Sequence, residues 1–471
     1  MQHKTVLGVI LGNRDFFPDS LITAGRQELL AVLDELGIEP VLLDPADSVA
    51  GSVETWEDAK KCAALFDEHR KRITGILISL PNFGDEKAAV DTIKLSGLQV
   101  PILVHAFPDD LDALAPETRR DAFCGKISVC NNLYQYGYPY SVTRRHTLRP
   151  GSPAFKQELA QFSRVCAVVH GLRHARLGAV GARPNAFNTT RYSEKLLQDS
   201  GISVQTVDLS EILGAAGKLA DDDARVRARV AEIQAYLNTA GVPSVALLRM
   251  ARFGVVLDDW MQALDIQATA IQCWNSLQAN LGANVCTLMS MMSEGLMPSA
   301  CEVDVTGAVS MYALQLASGA PSALVDWNND YGDEDDKCVL FHCGNWPRSF
   351  YSGQPDMEYA PILGSTLGND NTYGVIAGRV PAGPLSFARV SSDDRRGCLK
   401  AYVGEGRFVD DPLDTFGSRA VIQVPGLQDL LLHICKQGFE HHAAMSRSHC
   451  GAVLEEALGA YMGWEVYRHH G

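Results

Sequence analysis

The sequence predicts an α/β protein: two doubly wound α/β domains followed by a β-rich C-terminal domain, an antiparallel sheet or barrel. Three observations predict it. Over residues 1–148, strand-length apolar runs alternate with amphipathic helix-length segments. The alternation restarts over 149–318. Over 319–471 short strands follow one another across turn residues, with helices only near the end. At 471 residues the chain also exceeds what one hydrophobic core supports, so a division is expected.

In the first part, "TVLGVIL" leads into the helical "LITAGRQELLAVLDELG", and "EPVLLD" into "VETWEDAKKCAALFDEHR". "ITGILISL" precedes "DEKAAVDTIKLSG", followed by "VPILVHAF" and a last strand, "GKISVC". Continuous β-branched runs between helices imply parallel strands covered on both faces. The turn in "GVILGNRD" carries one glycine, not a dinucleotide fingerprint, which argues against NAD.

The second part reads "ARLGAVGARP" as strand and loop, "ISVQTVDLSEIL" as strand into helix, and "DDDARVRARVAEIQAYLN" as an exposed helix. "VALLRMARFGVVLDDWMQAL" is a long helix, "IQATAIQCW" a strand and "TLMSMMSEGL" a helix. A short strand "SACEV" then precedes a helix from about Val305 to Ala317. In the third part "SALVDW", "KCVLFHC", "YGVIAGRV", "GPLSFARVS", "CLKAYVGEG" and "AVIQVP" are strands. The helices "LQDLLLHICKQG" and "CGAVLEEALGAYMG" end the chain.

A net charge of −15 argues against nucleic-acid or anionic-membrane partners, which require clustered positive charge. No apolar run reaches the roughly 20 residues of a membrane helix, and the start lacks the pattern of a signal peptide. Twelve cysteines lie scattered, as at Cys166 and Cys435, without a C-x-x-C pair. Buried free thiols and a cytoplasmic location are expected.

The stretch "MPSACEVDVTGAVSMYALQLA" (297–317) is almost wholly apolar or small, yet carries Glu302 and Asp304. Asp304 precedes a helical run and reads as its N-cap, meeting free backbone N–H groups and the positive end of the dipole. Glu302 ends an apolar strand, where a carboxylate must be ion-paired, protonated or metal-bound. Asp326 in "SALVDWNND" opens a turn or serves a site, and His342 in "VLFHCGN" is a core residue or a ligand. In "FEHHAAM", His441 and His442 face opposite sides of a strand, so at most one points into a given site. Two carboxylates and an imidazole make a hard-to-borderline divalent site. Arg389 in "SFARVSS" reads as a contact to a substrate hydroxyl or anionic group, or as a surface salt bridge. The aromatic stretch "NNLYQYGYPY" follows an N-terminal strand, where open α/β sheets bind ligands.

These residues carry a resemblance. "AIQCW", "CEVDVTGAVSMYAL", "ALVDWNND", "LFHCGN", "GPLSFARV", "EHHAAM" and "CGAVLEEALGAYMGWEV" resemble, in order, the L-fucose isomerase / L-arabinose isomerase superfamily, in particular its shorter fucose isomerase-like members. "GARPNAFNTTRYSEKLLQDSGISVQTVDLSEI" is similar to the family's middle domain. The resemblance implies a sugar substrate, a homo-oligomer (a dimer of trimers or similar) and a metal, typically Mn²⁺. By motif the ligands fall on Glu302, Asp326 and His442, with His441 as the polar residue before the ligand. His342 resembles a further ligand of the arabinose branch. The implied activity is aldose–ketose isomerisation of a monosaccharide or modified sugar through an enediol, with Glu302 and Asp326 sharing metal binding and proton transfer. An epimerase on the same site and a non-catalytic sugar-binding protein are the alternatives.

Overall fold

Val6–Leu11, Gly75–Leu80 and Ile102–Ala106 are buried at every position, as parallel strands covered on both faces must be. In the computed structural model, which describes residues 5–471, they belong to the first of two units. That unit runs to His170 and includes Ala460–Gly463; the second comprises Gly171–Gly459 and Trp464–Gly471.

The first unit is built on strands β1 (Val6–Leu11), β2 (Glu39–Val41), β3 (Gly75–Leu80), β4 (Ile102–Ala106) and β5 (Ser141–Val142). Their order is β2-β1-β3-β4-β5, all parallel. The expected strand "GKISVC" is instead part of a helix, Ala122–Gln135. Its buried residues Ala122, Gly125, Lys126, Val129 and Leu133 recur with helical spacing, which outweighs the local β-branched pair. "NNLYQYGYPY" therefore begins inside that helix, with Tyr134 exposed.

In the second unit, β6 (Arg176–Val180), β7 (Ser203–Val207), β8 (Ala268–Ile271) and β9 (Ser299–Cys301) form a parallel sheet ordered β7-β6-β8-β9. A mixed nine-stranded sheet follows: β10 (Ser322–Asp330), β11 (Lys337–His342), β12 (Asp356–Tyr359), β13 (Tyr373–Arg379), β14 (Gly383–Asp393), β15 (Cys398–Val409), β16 (Ser418–Gln423), β17 (His442–Ser446) and β18 (Glu465–Arg468). Antiparallel pairing runs β16-β11-β10-β17-β14-β15 and returns from β15 to β16, closing a six-stranded barrel. Strands β12, β13 and β18 extend it at the sides.

The helix Val305–Ser318 joins the two sheets, packing on β8 and β9 and on β10, β14 and β17. All but two of its fourteen residues are buried, which explains its apolar or small composition. All twelve cysteines are free thiols. Cys166 is buried as expected, but Cys435 lies on the outer face of the helix Leu427–Gln437 and is exposed. Among the described residues, no helix is long and apolar enough to cross a membrane.

Candidate active site

Strand register brings the first two residues together. Asp326 on β10 stands directly opposite His442 on β17. Directly paired residues hold their Cβ atoms about 5 Å apart on the same face. His442 Nε2 lies 3.4 Å from Asp326 Oδ1. The third residue arrives from the parallel sheet, where β9 ends and the backbone turns at Glu302 (φ 62°) and Val303 (φ 54°). Consecutive left-handed residues, one β-branched, are strained by about 1–3 kcal/mol each and persist where surrounding structure demands them. The turn sets Glu302 Oε2 3.2 Å from His442 Nε2, with Glu302 only 4 % exposed.

Asp304 is the N-cap of the following helix, as expected: its Oδ1 accepts the Gly307 N–H at 2.8 Å. Its role extends well beyond that cap. His442 Nδ1 donates to Asp304 Oδ2 at 2.8 Å, and the Arg389 guanidinium grips both oxygens, at 2.5 and 3.0 Å. Arg389 also donates to Glu440 (3.1 Å) and to Thr306 (2.9 Å), and Glu440 in turn accepts from Ser391 (2.9 Å). Arg389 and Asp304 are wholly buried. Gly307 makes room, since a Cβ there would stand 2.6 Å from Asp304 Oδ2.

This arrangement corrects the reading of Arg389. It is neither a substrate contact nor a surface salt bridge, because it is buried with its N–H groups committed to Asp304, Glu440 and Thr306. It positions Asp304, which positions His442. Asp304 and Glu440 complete the buried network behind His442, a placement the sequence alone did not indicate.

The charges respond as this geometry requires. Burial alone would raise the Asp304 carboxyl, but Arg389 and His442 hold it well below the usual range. Burial opposes a charged Arg389, yet Asp304 and Glu440 raise its pKa above the ordinary value. At His442, burial is outweighed by the neighbouring Asp304 and Glu302 carboxylates, and its pKa rises to about 10. With Nδ1–H committed to Asp304, neutral His442 keeps its lone pair on Nε2, facing Glu302 and Asp326.

His342 is 2 % exposed, its ring 5.8 Å from that of His442. Burial works against its protonation, but the neighbouring Cys343 raises its pKa to about 9. His441 is half-exposed, with Nε2 3.6 Å from Asp326 Oδ1, so both histidines of the pair reach Asp326. Burial and the neighbouring His442 lower its pKa.

Three buried side-chain atoms at this point have no hydrogen-bond partner: Glu302 Oε2, Asp326 Oδ1 and His342 Nε2. Orphaned polar atoms are costly unless something else meets them. Donor atoms of Glu302, His342 and His442 lie within 4.8 Å of one another, as do those of Asp326, His441 and His442. An ion bonding oxygen and nitrogen at about 2.1 Å separates neighbouring donors by about 3 Å, so the 3.2 and 3.4 Å spacings suit a small divalent cation. The mixed carboxylate–imidazole set fits a metal of the Mn²⁺ type. Glu302 also shares the carboxyl end of its sheet with a cleft of about 810 Å³ lined by Gly181, Asp208 and Gln272, where parallel sheets bind ligands.

Residues 8–173 match the family model for the fucose/sulfoquinovose isomerase N-terminal domain, and residues 340–470 that for the L-fucose isomerase C-terminal domain. The chain belongs to the fucose isomerase-like family. A sulfoquinovose isomerase of Alkalicoccus urumqiensis is 26% identical over 365 residues, 76% of this chain and 77% of that relative. One from Priestia aryabhattai is 23% identical over 449 residues, 94% and 95% of the two chains. Asp326 and His442, from the sheet containing the C-terminal match, and Glu302, from the end of the parallel sheet, thus meet inside one unit of a fucose isomerase-like chain.

Proposed function

We propose that this sugar ketol-isomerase acts on a sulfonated aldose of the sulfoquinovose type, using a divalent metal, Mn²⁺ for preference, and an enediol pathway. The observation that carries the reading is that Glu302 Oε2 and Asp326 Oδ1, both buried, stand 3.2 and 3.4 Å from His442 Nε2. The substrate class comes from the relatives, each named as a sulfoquinovose isomerase.

Isomerisation moves one proton between C1 and C2 while the carbonyl moves the other way. Bound by Glu302, Asp326 and His442, the metal supplies a Lewis acid for the substrate oxygens. The chain supplies the proton chemistry. Between them Glu302 and Asp326 take the proton from one carbon and return it to the other, through carboxylate oxygens that do not hold the metal. His442 does not exchange that proton, because Asp304 holds its Nδ1–H and Arg389 holds Asp304. Exclusion of water follows from burial: Glu302 and His442 are closed off, while Asp326 (24 % exposed) and His441 (44 %) form the open side. The sugar enters over those two residues, where His441 is placed to meet a hydroxyl.

The test is incubation in D₂O with sulfoquinovose, fucose and arabinose, with Mn²⁺ and after chelation, read by mass spectrometry. Deuterium at C1 or C2 of the sulfonated sugar and its ketose, abolished by chelation and by Glu302→Gln, is the expected result. Absence of label from every sugar tried would remove the isomerase mechanism, and inversion at C2 without ketose would make the enzyme an epimerase.

A further inference from the structure

Behind the oxygen-and-imidazole site lies a second group of donors of a different chemical kind. Cys273 follows β8, Cys286 opens the helix Cys286–Glu294, Cys301 ends β9 and Cys343 follows β11. Four separate elements thus send thiols to one place. Cys301 links the group, its donor atom lying within 4.8 Å of those of Cys273 and of Cys343. Cys286 Sγ and Cys343 Sγ are 4.0 Å apart, and Cys343 Sγ is 3.4 Å from His342 Nδ1. The donor atoms of Cys301, His342 and Cys343 all lie within 4.8 Å of one another.

The two separations measured from Cys343 Sγ, to Cys286 Sγ and to His342 Nδ1, match a known geometry. Zinc bound at about 2.3 Å to sulfur and about 2.0 Å to nitrogen sets tetrahedral edges of roughly 3.8 Å between sulfurs and 3.6 Å between sulfur and nitrogen. The observed 4.0 and 3.4 Å bracket those edges. Thiolates select soft or borderline ions, whereas carboxylates select hard ones, so the two neighbouring donor sets sort different metals.

We propose that Cys286, Cys301, Cys343 and the Nδ1 edge of His342 form a second metal site, taking Zn²⁺ or another thiophilic divalent cation beside the Glu302–Asp326–His442 centre. His342 is then the shared wall between the sites: Nδ1 faces the thiols, and its ring also stands in the group with Glu302 and His442.

Chelator-treated, fully reduced full-length protein titrated with Co²⁺ tests this. One equivalent is expected to raise a thiolate-to-cobalt charge-transfer band and intense tetrahedral visible bands. Zn²⁺ is expected to displace the Co²⁺ and to shield three thiols from a thiol-specific reagent. The band persists in Glu302→Gln, which separates this site from the isomerase centre. It is lost, or weakened at least tenfold in affinity, in Cys301→Ala and in the less deeply buried Cys343→Ser, with far-ultraviolet circular dichroism checking the fold. A folded wild-type chain that shows no thiolate band at saturating Co²⁺ would overturn the proposal, as would a band undiminished in both cysteine variants.

Discussion

Replacing Asp304 with asparagine tests whether the buried network sets the chemistry of His442. The change keeps the side chain's size and one oxygen but removes the charge. In the wild type, Oδ1 serves the Gly307 N–H (2.8 Å) and Arg389 Nη2 (3.0 Å), while Oδ2 serves His442 Nδ1 (2.8 Å) and Arg389 Nη1 (2.5 Å). An amide has one oxygen for these two sets. With the oxygen kept over Gly307, the NH₂ group meets two donors. His442 relieves the clash by accepting at Nδ1 and carrying its proton on Nε2, where Glu302 and Asp326 converge. The lone pair needed for a metal is then gone from that edge. Loss of a carboxylate behind a ligand histidine weakens metal binding by about 10–100-fold. Stability falls as well, by about 3 kcal/mol, the lower end for breaking a buried pair, because Arg389 keeps Glu440. Mn²⁺ binding is read by electron paramagnetic resonance and stability by urea unfolding. Asp304→Asn with Mn²⁺ affinity within twofold of wild type would refute the reasoning.

Other outcomes follow from the same geometry. Gly307→Ala drives a methyl to 2.6 Å from Asp304 Oδ2, so both turnover and metal affinity fall together, at a stability cost of about 1–3 kcal/mol; titration and thermal unfolding check this. His105, wholly buried in β4 between the Ser79 hydroxyl (2.9 Å) and the Leu148 carbonyl (2.7 Å), has its pKa lowered to about 3 by burial. Below about pH 6.5 the unfolded chain takes up a proton that the folded chain refuses, so stability falls with pH from about 6.5 and levels near 3. Between pH 6.5 and 5 the loss is about 2 kcal/mol, read by hydrogen exchange in β3 and β4, and His105→Gln removes most of it. Ser→Ala at position 391 removes one bond to Glu440 and is expected to lower stability by about 1 kcal/mol while leaving the D₂O exchange rate within a fewfold of wild type.

Much of the fold was legible because its signals are local. Val6–Leu11, Gly75–Leu80 and Ile102–Ala106 are continuous apolar runs, and Val305–Ser318 begins at an evident cap. The helix Ala122–Gln135 is hidden from a short window because Ile127 and Val129 suggest a strand, while its buried period becomes visible only over the longer window. Closure of the barrel through β15 and β16 depends on a pairing between distant segments that no short pattern announces. At the site, Glu302 stood out because an apolar strand does not tolerate an unpartnered carboxylate. Asp304 did not, because its local role as a cap was sufficient in itself. Its other partners, Arg389 and His442, lie 85 and 138 residues away. Arg389 looked like an accessible cation for the same reason: the acids that enclose it, Asp304 and Glu440, arrive from other elements.

The most direct test of the centre itself is equilibrium binding of Mn²⁺ to the chelator-treated chain, in parallel for wild type, Glu302→Gln and His442→Gln. Mn²⁺ is chosen because it discriminates against the neighbouring thiols. One tightly bound ion per wild-type chain is expected, weakened at least a hundredfold in both variants, with sugar-dependent deuterium exchange rising in proportion to occupancy. Undiminished Mn²⁺ binding in both variants, or full exchange activity in the metal-stripped wild type, would contradict a metal centre built on Glu302, Asp326 and His442.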